Sequence, residues 1–333
     1  MTCISFEEAL KQAGAVSSQN RPTLLLGNGF SIAYDADIFS YKALFTSVDW
    51  SNAGRVHRVF EELKTWDFEL AIRHLEIAAG IAAIYELGDS VVETLRDDAD
   101  FLKDALIRAI QETHPAHIFS VDPNRLKTTA EFLRNFERLF SLNYDLLLYW
   151  TLVQPDTGLS GSFKDGFRNV ENILEWADFP NQGVLYLHGA LHLFQENGRL
   201  EKIKYSPTPG GRLIEQIADR IANGHAPLFV CEGSNQQKLS HIHSSKYLRY
   251  CFKAFQNTNG VLFIYGHSLS DGDQHILDAI SQSNISHLFI SLYGDPDSPH
   301  NQSIRRKAES IQLTRSYPKL TIEFYAAQSA LIW

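Results

Sequence analysis

Short apolar runs recur along this chain, and they constrain its fold more than any other feature. Seven are present, at residues 23–26, 139–142, 184–187, 228–231, 261–265, 287–292 and 320–324. Runs without regular polar alternation are typical of strands buried on both faces, as in parallel sheets. Helical patterns separate several of them, at residues 144–152, 213–222, 245–256, 273–280 and 304–313. The alternation predicts an α/β fold with a Rossmann-like parallel sheet flanked by helices.

About 110 residues separate the first two apolar runs, far more than one crossover helix requires. Helical patterns dominate this segment, at residues 56–64, 68–85 and 90–112. We therefore predict a mainly helical insertion over residues 48–135, within a single domain of residues 1–333. Residues 77–84 are apolar on every helical face, so either the insertion or another subunit must cover them. Segments 154–166 and 195–210 are rich in glycine, proline and polar residues and are predicted loops.

The charge balance argues against nucleic-acid and membrane partners. A formal net charge of -9 provides no field that would gather either nucleic acid or anionic lipid. The apolar helical run at 77–84 is far shorter than the roughly 20 residues that span a bilayer. Glu7 and Glu8 stand where a secretory signal needs basic residues. We expect neither export nor a transmembrane segment.

The three cysteines, Cys3, Cys231 and Cys251, contain no C-x-x-C pair. They can form neither a disulfide framework nor a four-thiolate zinc site. The histidines outside the motifs below, His275 among them, show no metal-ligand spacing with carboxylates and are predicted to be surface or core residues. The sequence thus predicts no zinc, no other metal and a reducing cytoplasm.

Polar or glycine-rich segments directly follow four of the predicted strands. The first is Gly27-Asn28-Gly29-Phe30-Ser31. Glycines there allow a pyrophosphate to approach the backbone, and the following helix offers unpaired N–H groups. A tight strand-to-helix turn without a ligand is the alternative.

The second and third segments supply an amide and an imidazole. Asn143, in Ser-Leu-Asn-Tyr-Asp, can hold a ribose hydroxyl or orient a water, whereas a structural loop amide is the alternative. Asp145 of the same segment is suited to cap the next helix. His188, in Leu-His-Gly, can accept a proton near neutral pH. If their strands are neighbours, these side chains meet in one crevice at the sheet edge.

The fourth segment, Gly266-His267-Ser268-Leu269-Ser270-Asp271-Gly272-Asp273, combines a glycine with hydroxyl and carboxylate groups. Gly266 permits a close backbone approach to a ligand, and Ser268 can bond phosphate or ribose oxygens. Asp271 or Asp273 is expected to cap the next helix. Glu69, in the first turn of an insertion helix, is expected to play a structural role there.

In order and composition, these four segments resemble the sirtuin-like superfamily, and most closely the bacterial branch whose members hydrolyse NAD in antiphage defence. The resemblance extends from about residue 23 to about residue 292. It implies that Asn143 and His188 are catalytic. It also implies a set of NAD-binding residues: Gly27, Asn28, Gly29, Phe30, Ser31, Asp145, Gly266, Ser268 and Asp273. Asn28 departs from the small residue that protein-deacylating sirtuins usually carry at this position.

The reaction expected from this resemblance is hydrolysis of NAD to nicotinamide and ADP-ribose, with NAD as the substrate and no cofactor. Deacylating sirtuins use a four-cysteine zinc ribbon that is missing from this sequence, which disfavours an NAD-dependent protein deacylase. A catalytically silent NAD or ADP-ribose sensor is the other alternative. By the same resemblance, we expect control through homo-oligomerisation or a separate sensor subunit.

Overall fold

The computed structural model describes residues 3–16, 21–196, 198–204, 212–315 and 319–333. Within them, the strands are β1 (Thr23–Leu26), β2 (Arg138–Ser141), β3 (Phe167–Val170), β4 (Ile173–Trp176), β5 (Val184–Tyr186), β6 (Gly189–Glu196), β7 (Arg199–Lys202), β8 (Pro227–Phe229), β9 (Asn259–Tyr265), β10 (Asn284–Leu292) and β11 (Thr321–Ala326).

A six-stranded sheet with the order β11-β10-β9-β1-β2-β5 forms the centre of the fold. All of its strand pairs are parallel. Every residue of β1 and β5 is buried, because helices cover both faces of the sheet. The predicted α/β fold with a Rossmann-like parallel sheet is confirmed.

The order of the strands reverses beside β1. The chain first adds β2 and β5 on one side of β1, and later adds β9, β10 and β11 on the other. In such doubly wound sheets, ligands bind in the crevice at the carboxyl ends of the strands, where the two halves diverge. The predicted motifs follow β1, β2, β5 and β9, which are consecutive strands of the sheet.

Fourteen α-helices are described: α1 (Phe6–Val16), α2 (Gly29–Tyr34), α3 (Ala36–Phe39), α4 (Tyr41–Ser47), α5 (Gly54–Leu63), α6 (Phe68–Ile84), α7 (Asp89–Thr113), α8 (Pro123–Leu133), α9 (Leu147–Val153), α10 (Leu213–Ala222), α11 (Asn235–Ser244), α12 (Lys246–Gln256), α13 (Gln274–Gln282) and α14 (Pro299–Thr314). Helices α2 to α8 all lie between β1 and β2, which confirms the helical insertion after the first strand. Among the described residues, no helix combines the length and apolarity needed to cross a bilayer.

A second sheet, with the order β3-β4-β7-β6-β8, was not predicted. Its pairs are antiparallel, and it includes two segments that the sequence analysis interpreted differently. The run at 228–231 was wrongly predicted as a strand of the parallel sheet, because β8 instead pairs with β6. The predicted loop at 195–210 is wrong where it is described, because it includes the last two residues of β6 and the whole of β7. Strands β4 and β7 have only four residues each, with the sequences Ile-Leu-Glu-Trp and Arg-Leu-Glu-Lys, so they lack the continuous apolar run that marked the central sheet.

The apolar helix of the insertion is only partly covered. Ala79 and Ala82 of α6 are buried against Val92 of α7. On another face of the same helix, Ile81 is 50% exposed and Ile84 is 79% exposed. The insertion therefore does not cover this helix completely, and contact with a second subunit stays a prediction.

Candidate active site

The first and fourth glycine segments contact each other through their backbones at the edge of β1 and β9. The Gly27 N–H donates to Tyr265 O (2.9 Å), and the Gly29 N–H donates to Gly266 O (2.8 Å). A Cβ atom on Gly29 would lie 2.5 Å from the Gly266 Cα atom, and Gly266 itself has a φ of +70°. Glycine is required here because two chain segments touch, whether or not a ligand also approaches them.

The N–H groups of the first segment are less available than the sequence indicated. The Phe30 N–H donates to Gly27 O and the Ser31 N–H donates to Asn28 O. Together with the Gly29 bond to the opposite loop, these bonds occupy the amides that were expected to be unpaired. The helix that follows, α2, has only six residues. The expectation of a free helix N-terminus for pyrophosphate is therefore wrong for Gly29, Phe30 and Ser31.

Replacing Gly266 by alanine is expected to destabilise the protein by more than about 2 kcal/mol. The left-handed backbone alone costs a non-glycine residue about 1–2 kcal/mol, and the new Cβ would lie 2.6 Å from the Gly29 Cα atom. Urea unfolding measures the loss. Gly80→Ala is the control, because nothing lies within 4 Å of a Cβ there, and this variant should gain about 0.5–1 kcal/mol. Equal stability of the two variants would contradict the contact between the segments.

A cavity of about 1120 Å³ opens at this edge of the sheet. Most of the predicted site residues line it: Gly27, Asn28, Gly29, Asn143, Asp145, His188, Gly266, Ser268 and Asp273. Phe30 and Ser31 are not among the residues that line the cavity. The Phe30 ring is buried against Trp333, with the ring centroids 4.9 Å apart. The structure thus places the amide and the imidazole, from segments far apart in sequence, in one cavity.

A chain of hydrogen bonds fixes the orientation of the Asn143 amide. Asp145 lies one residue before the N-cap of α9, which is Leu146. One of its oxygens accepts from the Leu147 N–H (2.9 Å), and the other accepts from the Ser31 hydroxyl. Because that hydroxyl has already used its proton, it can only accept from the Asn143 Nδ2 group at 3.1 Å. The Asn143 Oδ1 atom is left buried without a partner among the described residues.

His188 is 2% exposed, and its Nε2 atom lies 2.9 Å from Nε2 of His275. Burial, with the nearby Lys238 ammonium, holds the pKa of His188 well below its usual value. Burial likewise lowers the pKa of His275 to about 4. Both imidazoles are therefore neutral at pH 7, and each carries a single N–H. His275 was predicted to be a surface or a core residue, and it is buried. It also contacts His188, the histidine expected to be catalytic.

A fully buried lysine, Lys238 of α11, lies next to the histidines. Its ammonium donates to Glu69 Oε2 (2.5 Å) and to Asp273 Oδ1 (2.9 Å). The second oxygen of Asp273 accepts from His267 Nε2 at 3.0 Å. Burial alone would raise the pKa of Asp273, but Lys238 and the His267 bond outweigh it and the pKa lies well below the usual range. Burial raises the pKa of Glu69.

These ion pairs correct two expectations about capping. Asp273 precedes α13 but makes no side-chain capping bond, because its carboxylate is committed to Lys238 and His267. Asp271 pairs with Lys307 instead of capping the helix. Glu69 lines the cavity and contacts both Lys238 and the Tyr144 hydroxyl, in addition to its place in the first turn of α6.

Comparison with known proteins identifies the family. The sequence matches the family described as a domain of unknown function (DUF4917) over residues 24–333. The chain belongs to the DUF4917 family. No curated protein matches this DUF4917 sequence.

Two residues that contact the site of the DUF4917 protein lie on α11, a helix that was not predicted from the sequence. They are Lys238 and Asn235, whose Oδ1 atom lies 2.9 Å from His275 Nδ1. The available signal was Ser234 followed by Gln237, which form a capping box at the start of α11. Nothing in the local sequence predicts a role for Lys238, because α11 has the sequence of an ordinary polar helix. For His275, the only signal was its position directly after the Gly266–Asp273 segment.

Three side chains of the DUF4917 cavity region come close enough to share a metal ion. His188, Asp273 and His275 each present one possible ligand atom, and these atoms lie within 4.8 Å of one another. This cluster was not predicted from the sequence. Both oxygens of Asp273 are already paired, one of them with an ammonium that a metal ion would repel. The absence of a metal stays a prediction, and the hydrogen-bonded arrangement accounts for all three side chains.

Proposed function

We propose that this DUF4917 protein hydrolyses NAD to nicotinamide and ADP-ribose. The observation that carries the proposal is the shared cavity of Asn143 and His188 at the strand-order reversal, where the Asn143 Oδ1 atom has no partner among the described residues. An unpaired buried acceptor costs about 1–3 kcal/mol. A ribose hydroxyl or a water in the cavity would satisfy it.

The reaction suits these groups because nicotinamide leaves as a neutral base and needs no strong acid. The C1′–N bond breaks and its electron pair leaves with nicotinamide, while the ribose becomes oxocarbenium-like, as in glycoside hydrolysis. The oxygen of a water then bonds to C1′ and its proton passes to His188, which later releases it to solvent. Asn143 would hold the ribose and the water in line, a positioning role that lowers the entropic part of the barrier.

The charges around the cavity fit a substrate with an anionic pyrophosphate and a cationic nicotinamide ribose. Asp145, Glu69 and Asp273 contribute carboxylates to the lining, which favour a developing positive charge on the ribose. Arg73 and Lys307 also line the cavity. Because the amides of the first segment are largely occupied, these cations are the groups we assign to the pyrophosphate.

The biological role follows from the resemblance in the four segments. An enzyme that depletes NAD would serve as an effector of bacterial antiphage defence in the cytoplasm. Constant activity would harm the cell, so control by homo-oligomerisation or by a separate sensor subunit is part of the proposal. The exposed isoleucines of α6 are where we place a subunit contact.

The test is incubation of purified protein with NAD and separation of the products by chromatography. A series of protein concentrations, with and without extract of phage-infected bacteria, allows for activation by assembly or by a partner. We expect nicotinamide and ADP-ribose from the wild type. We expect at least about 100-fold less from Asn143→Ala, because this residue positions both reactants.

Two results would decide against hydrolysis, and a third would decide only against the role of Asn143. Saturable NAD binding without product under every condition would favour the sensor. Nicotinamide release only after addition of an acyl-lysine peptide would favour the deacylase. Full activity of Asn143→Ala, with the wild type active, would remove Asn143 from the site while leaving hydrolysis itself in place.

A further inference from the structure

The atom that orients His275 can be identified without ambiguity. The Asn235 side-chain atom named Oδ1 lies 2.7 Å from the backbone N–H of His275 and 2.9 Å from its Nδ1 atom. A backbone N–H can only donate, so the atom facing it must be the amide oxygen and not the nitrogen. The same oxygen then accepts from His275 Nδ1, which must carry the proton of that ring.

This assignment determines the tautomer of the next histidine. With its one proton on Nδ1, the neutral His275 has a lone pair on Nε2. His188 Nε2 lies 2.9 Å away and must donate to it. The single proton of the neutral His188 is therefore on Nε2, and its Nδ1 atom carries the lone pair. No described residue forms a hydrogen bond with His188 Nδ1, and His188 lines the cavity.

We propose that Asn235 and His275 are positioning residues that hold the proton of His188 on Nε2 and thereby make Nδ1 the atom that accepts the proton during NAD cleavage. This inference rests on the proposed function. In the hydrolysis step the water O–H bond breaks and an N–H bond forms at Nδ1, and the Nε2–H donates to His275 before and after the transfer. With one oxygen, Asn235 caps the first turn of α13 and orients the His275 ring. The protonation of His188 therefore depends on the packing of α11 against α13.

The arrangement repeats the logic found at Asn143. Asp145 and Ser31 determine that the oxygen of the Asn143 amide has no partner among the described residues. Asn235 and His275 determine in the same way that Nδ1 of His188 has no partner there. In both cases the series of hydrogen bonds starts at a backbone N–H, which can only donate. Each catalytic candidate therefore presents one acceptor that has no partner among the described residues.

The test compares His275→Leu, which lacks an acceptor at this position, with His275→Gln, whose side-chain oxygen can still accept. Imidazole nitrogen chemical shifts of histidine-labelled protein report the tautomer directly, and loss of signals in His188→Ala assigns His188. We expect the wild type to show a protonated Nε2 and an unprotonated Nδ1 on His188. We expect a mixture of tautomers in His275→Leu and the wild-type tautomer in His275→Gln.

Kinetics supply the second measurement. At metal-bound histidines, removing the group that orients the imidazole typically costs about 10- to 100-fold, and we expect a similar range for a histidine that acts as a base. We expect a loss of this size in kcat for His275→Leu with KM little changed, and recovery of most of it in His275→Gln.

Two outcomes overturn the inference. One is a wild-type His188 protonated on Nδ1. The other is loss of activity on chelation with recovery on addition of Zn²⁺, because a metal held by the two histidines would replace the hydrogen bond between them.

The two measurements separate this inference from the proposed function. Active enzyme with the wrong tautomer overturns the positioning role alone. Protein with the expected tautomer that never cleaves NAD overturns the proposed function and the proton transfer, and it leaves the hydrogen-bonded orientation of His188 standing.

Discussion

His188→Ala should reduce nicotinamide release by about 100- to 10,000-fold, the contribution typical of a positioned general base. The side chain is buried and lines the cavity that contains Asn143, so its loss removes the proton acceptor without opening the protein surface. Product chromatography at saturating NAD measures the rate. Circular dichroism and thermal unfolding check that the variant is folded.

His192→Phe is the matched control for this variant. His192 is also fully buried and lies on β6, and neither of its ring nitrogens has a hydrogen-bond partner among the described residues. It is not part of the cavity lining. We expect wild-type activity from this control. Undiminished release by His188→Ala would remove this imidazole from the mechanism.

The same histidine shapes the pH dependence of the wild type. Because burial and Lys238 hold the pKa of His188 well below its usual value, the ring stays neutral through the neutral range. A base must be unprotonated, so kcat/KM should show no decline at about pH 6.5, where an ordinary histidine titrates. The decline should appear only at more acidic pH. An inflection near neutrality would mean that His188 is not the base or is not buried in the active form.

Lys238→Met should destabilise the protein by about 3–5 kcal/mol at pH 7, the cost of breaking a buried ion pair by removing one partner. The Lys238 side chain is fully buried, and it separates the carboxylates of Glu69 and Asp273. Without the ammonium, two carboxylates whose side chains are only 23% and 14% exposed face each other with no compensating cation. Urea unfolding measures the loss.

The loss of stability in Lys238→Met should depend on pH, because it involves the ionisation of Asp273. In the wild type, the lowered pKa of Asp273 means that its ionised form contributes stability above its unfolded pKa, and this is lost as pH falls through the folded pKa. In Lys238→Met, burial is no longer outweighed and the folded pKa of Asp273 rises. The deficit should therefore be largest at neutral pH and shrink on acidification. Adding Glu69→Gln to this variant should also recover part of the stability.

Lys103→Met is the control for charge removal. Lys103 pairs with Glu76 and Asp100, but its side chain is 25% exposed, against 0% for Lys238, and the side chain of its partner Asp100 is 73% exposed. Solvent screens such a pair, and the expected loss is below about 1 kcal/mol. Equal losses for the two lysines, or a deficit of Lys238→Met that does not change with pH, would contradict the buried ion-pair network.

The central sheet and the four site segments could be predicted because their signals are local. A buried parallel strand such as β1 or β9 is a continuous apolar run, and helical patterns lie between several of the strands. The second sheet escaped prediction because strands such as β7, with the sequence Arg-Leu-Glu-Lys, resemble polar loops. Their structure depends on pairing with β6 and β4, which the local pattern does not encode.

The sequence by itself determined which segments end strands and which side chains follow them, because periodicity and turn residues act over a few positions. That was enough to predict that Asn143 and His188 line one cavity, since parallel strands present their carboxyl ends at one edge. Only the tertiary structure decided the partners of these residues. Lys238, His275 and Asn235 reach the site through the packing of α11 against α13, and contacts across such distances in sequence leave no mark on the local pattern.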